Sequence, residues 1–146
     1  MTAFDPAERT AFLQAWVQVW NERPDPVQKS LRFYTENASF IDMTLKHHYR
    51  GHNQLLEKLQ PYYDAIPDWT IEGRGILVAP DHAVVQWTWS GTVNADLPTL
   101  TIRFPGRHFA IPGVTIFNFA DNGLISCQTE YWNGVDMLQQ LGISAD

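Results

Sequence analysis

The apolar residues in the first part of the chain recur mainly at the spacing of α-helices. A first helix is predicted after Asp5, whose side chain suits an N-cap, with Pro6 at the first helical position and Glu8 in the first turn. This helix is expected to end near Asn21. Its apolar face consists of Phe12, Leu13, Trp16, Val17, Val19 and Trp20.

A short strand is predicted between two further helices. Residues 25–34 begin with a second capping signal and indicate a short helix, and residues 38–42 alternate as in a β-strand. Because strand side chains alternate between faces, Phe40 and Asp42 share one face. A polar connector then leads to a third helix over residues 53–63.

The second half of the chain has the period of a β-sheet. Strands are predicted over residues 69–79, 82–93, 99–104, 107–120 and 124–132. Pro112 and Gly113 indicate a bulge or bend, because proline cannot donate a hydrogen bond to a neighbouring strand. A short helix over residues 133–141 follows the last strand, with Asn133 as its N-cap.

Composition indicates one globular domain with a single core. The chain has 146 residues, of which 45% are hydrophobic, and this is too apolar for a disordered chain. Its formal charge of -6 argues against nucleic acid or an anionic membrane as a partner. The single cysteine, Cys127, excludes an internal disulfide framework and suits a reducing compartment, so we expect a cytoplasmic location. No apolar stretch has the length of a signal peptide or a membrane span.

The usual motifs of nucleotide, metal and nucleophilic chemistry are missing from the sequence. It has no glycine-rich phosphate loop after a strand and no Gly-x-Ser-x-Gly nucleophile elbow. His47 and His48 are adjacent and lack partners at metal-ligand spacing, and His108 follows a turn and is expected to face solvent. We therefore expect no metal and no cofactor.

Two carboxyl groups are candidates for acid/base chemistry. Asp42 shares its face with Phe40, so we expect partial desolvation that suits it to moving a proton near neutral pH. The alternative is an aspartate that accepts backbone N–H groups in the following turn. Glu130 shares a face of the last strand with Gln128 and Trp132. It is either a second acid/base group or part of a solvated sheet edge or dimer contact.

Short motifs in order along most of the chain resemble those of the nuclear-transport-factor-like superfamily. Residues 33–42, which read FYTENASFID, resemble its Tyr-x-x-Asp-Ala-x-φ-x-Asp run, and Tyr49-Arg50-Gly51-His52 resembles its following helix entry. Further matches are Ser90-Gly91-Thr92, Gly106-Arg107, residues 113–125 and Gln140-Leu141-Gly142. The branch that the chain resembles most is that of the SnoaL-like polyketide cyclases, close to the ketosteroid isomerases.

The resemblance implies a single domain over residues 1–146 with a cone-shaped α+β fold. In this fold a curved antiparallel or mixed sheet wraps around N-terminal helices and encloses a pocket. It implies Asp42 as general base, a small apolar molecule as ligand, and a homodimer through the convex face of the sheet. The residues expected to bind the substrate are Trp16, Phe40, Trp87, Trp89, Thr115, Phe117, Gln128 and Trp132.

Several positions depart from the resembled enzymes. Thr115 stands where the isomerases have a protonated aspartate, and Trp16 or Val17 lies near their tyrosine position, so their oxyanion hole is incomplete. The Trp16 N–H is a weaker substitute donor, and the alternative is that Trp16 only packs in the core. Trp87 and Trp89 replace a catalytic arginine and aspartate of the limonene epoxide hydrolases, which counts against epoxide hydrolysis.

The resulting hypothesis is a cofactor-independent enzyme of the isomerase, cyclase or dehydratase type, with secondary metabolism as one setting. Its substrate is a small apolar carbonyl-containing metabolite. Asp42 removes a proton next to the carbonyl, and Glu130 or a nearby histidine returns it, while Thr115 and Gln128 orient the substrate. The alternative is a non-catalytic ligand-binding or dimeric assembly module. A pocket on which Asp42 and Glu130 converge favours the enzyme, whereas a filled cone favours the module.

Overall fold

The computed structural model describes residues 3–97 and 106–143. Its helices are α1 (Pro6–Val19), α2 (Pro26–Ser30), α3 (Gly51–Ala65) and α4 (Gly134–Gln140). Its strands are β1 (Tyr34–Asp42), β2 (His47–Arg50), β3 (Thr70–Val78), β4 (His82–Val93), β5 (Arg107–Phe119) and β6 (Ile125–Trp132). A 3-10 turn over Leu31–Phe33 joins α2 to β1. The predicted strand over residues 99–104 lies outside the described residues.

The six described strands form one mixed sheet in the order β2-β1-β6-β5-β4-β3. β1 and β6 are parallel, and the other neighbouring strands are antiparallel. α1 packs against β3, α3 against β1 and α4 against β5, so the helices cover one face of the sheet, which we call the inner face. This is the α+β arrangement that the resemblance implies. No described helix is long and apolar enough to cross a membrane.

Strand alternation fills the inner face with large side chains. Along β4 every second residue is buried, and the residues between them are more exposed. The buried side chains of β4 and β5 include Val85, Trp87, Trp89, Phe109, Ile111 and Phe117. Each such side chain stabilises the fold by roughly 1.5–3 kcal/mol relative to an exposed one.

The two predicted capping signals have different outcomes. Asp5 caps α1, because its Oδ1 accepts hydrogen bonds from the backbone N–H of Ala7 at 2.9 Å and of Glu8 at 3.3 Å. Asp25 does not cap α2 with its side chain, and its φ of 60° lies in the left-handed region. The prediction of a second side-chain cap is therefore wrong, and α2 ends at Ser30.

Two further local predictions need correction. The segment predicted as a polar connector contains β2, which pairs with β1, and its residues alternate between half-buried and exposed as in an edge strand. Of the bulge or bend predicted at Pro112 and Gly113, the bulge is wrong, because both residues pair with β4 without a register shift. The pairing of β5 with β6 begins at Gly113, so Pro112 has a described neighbouring strand on one side only and its missing N–H is tolerated.

Candidate active site

Strand register places Asp42, Glu130 and Thr115 in one row across three neighbouring strands. Asp42 of β1 pairs with Glu130 of β6, and Glu130 pairs with Thr115 of β5. Neighbouring strands lie about 4.8 Å apart, so the side chains of one row on the inner face are immediate neighbours. The flanking rows are Phe40, Gln128 and Phe117 on one side and Trp132, Gly113 and Trp87 on the other.

A pocket of about 790 Å³, counted with its open mouth, lies between this row and the helices. Both carboxyl groups line it, and the other lining residues are aromatic or aliphatic. All six tryptophans of the chain are among them. The remaining ones are Phe40, Leu45, Tyr49, Leu59, Tyr62, Tyr63, Ile71 and Met137. The pocket thus combines an apolar wall with two polar groups, as is typical of small-molecule sites.

Asp42 is buried at the end of β1, with only 8% of its surface exposed. Its Oδ1 accepts a hydrogen bond from the backbone N–H of Leu45 at 2.9 Å, and its Oδ2 accepts one from the Nε1–H of Trp132 at 3.1 Å. The turn bond that the sequence left as an alternative is therefore present. It does not remove Asp42 from the pocket, whose wall includes this residue.

Glu130 lies beside Asp42 and receives two hydrogen bonds. Its Oε1 accepts one from the Nε2–H of Gln128 at 2.8 Å, and its carboxyl accepts another from the hydroxyl of Thr115. Burial, and next the negative charge of Asp42, raise the pKa of Glu130 to about 8, and the two hydrogen bonds offset this only in part. At neutral pH Glu130 therefore holds a proton next to a second carboxyl.

The two residues that donate to Glu130 are themselves held by hydrogen bonds from other buried residues. The Nε1–H of Trp16 donates to the Tyr34 hydroxyl at 2.9 Å, and this hydroxyl donates to Oε1 of Gln128. Burial raises the pKa of Tyr34, which keeps its proton in place. The Trp16 N–H therefore serves this bond and is not available as the substitute oxyanion donor considered from the sequence.

The Thr115 hydroxyl is supported in the same way from β4. The Nε1–H of Trp87 donates to Oγ1 of Thr115 at 2.8 Å. The Trp87 ring lies directly over Gly113, and a Cβ atom at Gly113 would overlap the six-membered part of the ring. Gly113 thus provides the space that lets Trp87 reach Thr115.

The structure separates the predicted substrate-binding residues into two layers. Trp16, Phe40, Trp87, Trp89 and Trp132 line the pocket. Thr115, Phe117 and Gln128 do not line it and are fully buried behind its wall. Thr115 and Gln128 are therefore placed to orient Glu130, whereas the sequence analysis assigned them to the substrate.

The three candidate histidines lie at different distances from the pocket. The Nδ1 of His47 lies 2.8 Å from the hydroxyl of Tyr49, which lines the pocket, so His47 reaches the site through Tyr49. His48 is exposed and contacts Ser39. His108 is exposed beside Thr92, as expected. No three potential metal ligands cluster among the residues that the structure describes.

Sequence reasoning missed several residues of the site. Tyr62 and Tyr63 of α3 line the pocket, and the helical apolar spacing over residues 53–63 was the available signal. Tyr49 belongs to the segment that the sequence predicts as a connector, and its alternation with His48 and Arg50 is the signal of a strand. Nothing in the local sequence indicates that Tyr34 reaches Gln128, which lies 94 residues further along the chain.

Solved structures share this fold over nearly their whole length. A candidate SnoaL-like polyketide cyclase from Jannaschia sp. CCS1 has a TM-score of 0.81 at 14% identity, with 99% of this chain and 98% of that chain covered. TsrD from Streptomyces laurentii has a TM-score of 0.79 at 20% identity, with 97% and 100% covered. A phenazine biosynthesis-related protein from Pseudomonas aeruginosa has a TM-score of 0.74 at 18% identity, with 96% and 91% covered. At these identities the likeness shows the fold alone.

The family assignment comes from the sequence itself. No curated protein matches the chain significantly. The SnoaL-like domain family matches residues 13–127, which span α1 beyond its first turns and most of the sheet up to β6. The match covers most of the chain and agrees with the resemblance found in the short motifs. The chain therefore belongs to the SnoaL-like domain family.

Proposed function

We propose that the protein is a cofactor-independent acid/base enzyme that acts on a small, largely apolar carbonyl compound. The observation that carries the proposal is the pair of adjacent carboxyl groups at the wall of one aromatic pocket. Glu130 holds a proton at neutral pH, and its neighbour Asp42 accepts two hydrogen bonds. A carboxyl group that holds a proton beside a second carboxyl group is suited to acid/base chemistry.

In the proposed mechanism Asp42 removes a proton from the carbon next to the substrate carbonyl. Glu130 donates its proton to the carbonyl oxygen, so an enol forms without a net charge on the substrate. In a β,γ-unsaturated ketone, Asp42 returns its proton to the γ-carbon while the enol hydrogen goes back to Glu130, which gives the conjugated isomer. In a β-hydroxy ketone, the hydroxyl takes the proton from Asp42 and leaves as water while the enol hydrogen goes back to Glu130, which gives dehydration. In a substrate with a second carbonyl, the enol carbon attacks that carbonyl, whose oxygen takes the proton from Asp42 while the enol hydrogen goes back to Glu130, which gives cyclisation. The donor from Glu130 takes the place of the aspartate that the isomerases have where this chain has Thr115.

The alternative of a non-catalytic ligand-binding or assembly module is less well supported. A filled cone favours it, whereas a pocket lined by both carboxyl groups lies between the sheet and the helices. The incomplete isomerase-like oxyanion hole favours the module. Glu130, which holds a proton at the pocket wall, offsets this by supplying a hydrogen-bond donor.

We also propose a homodimer through the outer face of the sheet. Leu77, Val84, Ile116, Thr129 and Ile41 form one cross-strand row on that face, and Leu77 is 75% exposed. Such an apolar row suits a symmetric contact between two copies. Sedimentation should give about twice 16.7 kDa, and a monomer at micromolar concentration would contradict the dimer. A cytoplasmic location remains part of the proposal, as inferred from the single cysteine.

Hydrogen–deuterium exchange tests the proposed chemistry without a known substrate. The protein is incubated in D2O with a panel of small cyclic ketones, and NMR follows exchange at the carbons next to the carbonyl. We expect accelerated exchange with at least one ketone. Asp42→Asn should slow it by about 10² or more, the usual scale of general-base catalysis. Asp64→Asn, which changes an exposed carboxyl of α3, is the matched control and should keep the rate.

Three outcomes decide between the mechanisms. Loss of exchange in Asp42→Asn with a folded protein supports Asp42 as base. Unchanged exchange in Asp42→Asn together with loss in Glu130→Gln would overturn that assignment and make Glu130 the group that activates water. Binding of several ketones without exchange of any would favour the ligand-binding module.

A further inference from the structure

We infer that Gln128 is a positioning residue, held in one orientation by a one-way hydrogen-bond relay from Trp16 through Tyr34, and that it keeps the acid proton of Glu130 directed toward the pocket. This inference rests on the proposed function, because it concerns the same acid. It assigns roles to three residues that the proposed reaction does not itself require.

The direction of the relay follows from its first donor. An indole N–H can donate a hydrogen bond and cannot accept one. Because Trp16 donates to the hydroxyl of Tyr34 at 2.9 Å, the Tyr34 oxygen is an acceptor there and its own hydrogen goes to the side chain of Gln128. The Gln128 atom that faces Tyr34 must therefore be the amide oxygen.

This fixes what Gln128 presents to Glu130. With its oxygen toward Tyr34, the amide directs Nε2–H at Oε1 of Glu130, at 2.8 Å. In the flipped amide the nitrogen would face Tyr34, whose oxygen already accepts from Trp16, and the Tyr34 hydrogen would lose its acceptor. Tyr34 and Gln128 are both buried, so a lost partner would not be replaced by solvent.

A second relay of the same polarity reaches Glu130 from the other side. Trp87 donates to Thr115 at 2.8 Å, and Thr115 donates to the Glu130 carboxyl. Both described neighbours that hydrogen-bond Glu130 are therefore donors. The acid hydrogen of Glu130 finds no acceptor in either relay, and the direction left to it is the pocket, which Glu130 and Asp42 both line.

The test follows the titration of the Glu130 carboxyl by carbon-13 NMR in single variants. Gln128→Met keeps the side-chain length and removes the donor, so the charged form of Glu130 loses support and its pKa should rise by about one unit. Tyr34→Phe removes one hydroxyl and frees the Gln128 amide to turn its oxygen toward Glu130. The amide oxygen would then accept the acid proton, which should also raise the pKa by about one unit and turn the proton away from the pocket.

Two more variants complete the design. Thr115→Val removes the donor of the second relay and should also raise the pKa of Glu130. This variant keeps the test available if one of the other variants does not fold. Tyr131→Phe is the matched control: Tyr131 is on the same strand as Gln128, but it is 43% exposed and points to the outer face. It should leave the Glu130 titration unchanged.

The exchange assay separates this inference from the proposed function. We expect Tyr34→Phe to lose exchange activity at neutral pH, because its acid proton no longer faces the substrate. An unchanged Glu130 titration in folded Tyr34→Phe and Gln128→Met would overturn the relay, even if the wild type exchanges ketone protons. Shifted titrations in a wild-type protein that exchanges no ketone would leave the relay standing and contradict the proposed function.

Discussion

The six tryptophans of the pocket divide into two groups that use the same side chain differently. At the carboxyl end, the N–H groups of Trp16, Trp87 and Trp132 donate to Tyr34, Thr115 and Asp42, respectively. The N–H groups of the other three, Trp20, Trp69 and Trp89, are buried and have no hydrogen-bond partner among the residues that the structure describes.

The second group packs in a series of aromatic rings that also contains Tyr63. The ring centroids are 4.0 Å apart for Tyr63 and Trp69 and 4.7 Å apart for Trp69 and Trp89. These tryptophans stabilise the protein by the area that they bury and by their stacking. Under the proposed function, the tryptophans with partnered N–H groups support the acid/base pair and the other three contact the apolar part of the ligand.

The largest expected effect concerns the cost of keeping Glu130 protonated. The folded protein holds this proton up to about pH 8, whereas a carboxyl in the unfolded chain releases it near its ordinary pKa of 4.5. Between these pH values the folded state binds more protons, so the free energy of unfolding should fall as pH rises, by up to about 1.4 kcal/mol per pH unit.

Glu130→Gln should remove this decrease of the unfolding free energy with pH. The variant should therefore become more stable relative to the wild type as the pH rises toward 8. Urea unfolding at pH 5, 6.5 and 8 measures it. Glu57→Gln, on the exposed face of α3, should keep the wild-type slope. Parallel profiles for the wild type and Glu130→Gln would show that Glu130 titrates normally.

A smaller effect is expected from filling the space beneath Trp87. Gly113→Ala places a methyl group against the ring and should displace it from Thr115, which costs about 1–3 kcal/mol of unfolding free energy. The matched control is Gly73→Ala, in the same cross-strand row, because a Cβ there meets only Val17 at an ordinary 3.7 Å. Thermal unfolding of the two variants compares them, and equal melting temperatures would contradict the tight fit of Trp87.

The smallest expected effects separate the two groups of tryptophans directly. Trp132→Phe removes the donor to Asp42 and should lower kcat about tenfold with a ketone from the exchange panel. Trp89→Phe breaks no hydrogen bond within the described part of the chain, so it should raise KM a few fold at nearly unchanged kcat. The reverse pattern would show that the division of the tryptophans has no functional meaning.

The side chains on the inner face could largely be predicted from local sequence. Which of them line the pocket and which lie behind its wall could not. Alternation correctly placed Phe40 with Asp42 and Gln128 with Glu130, because strand side chains point to one face at every second residue. Alternation does not tell which inner residue reaches a cavity and which lies behind it. For that reason Gln128 was assigned to the substrate, although it lies behind the wall of the pocket.

The relation between the two carboxyl groups also could not be read from the sequence. It depends on the parallel pairing of β1 with β6, whose residues are 88 positions apart at Asp42 and Glu130. Short-range patterns carry no information on such a pairing or on its register. The sequence therefore could not indicate that burial, and next the charge of Asp42, raise the pKa of Glu130.

The most direct test of the acid/base pair is the carbon-13 NMR titration of Glu130 in the wild type and in Asp42→Asn. In the wild type we expect Glu130 to titrate near pH 8. In Asp42→Asn the neighbouring negative charge is gone, so the pKa of Glu130 should fall. A wild-type Glu130 that titrates near its ordinary value of 4.5, unaffected by Asp42→Asn, would contradict the assignment of these two residues as acid and base.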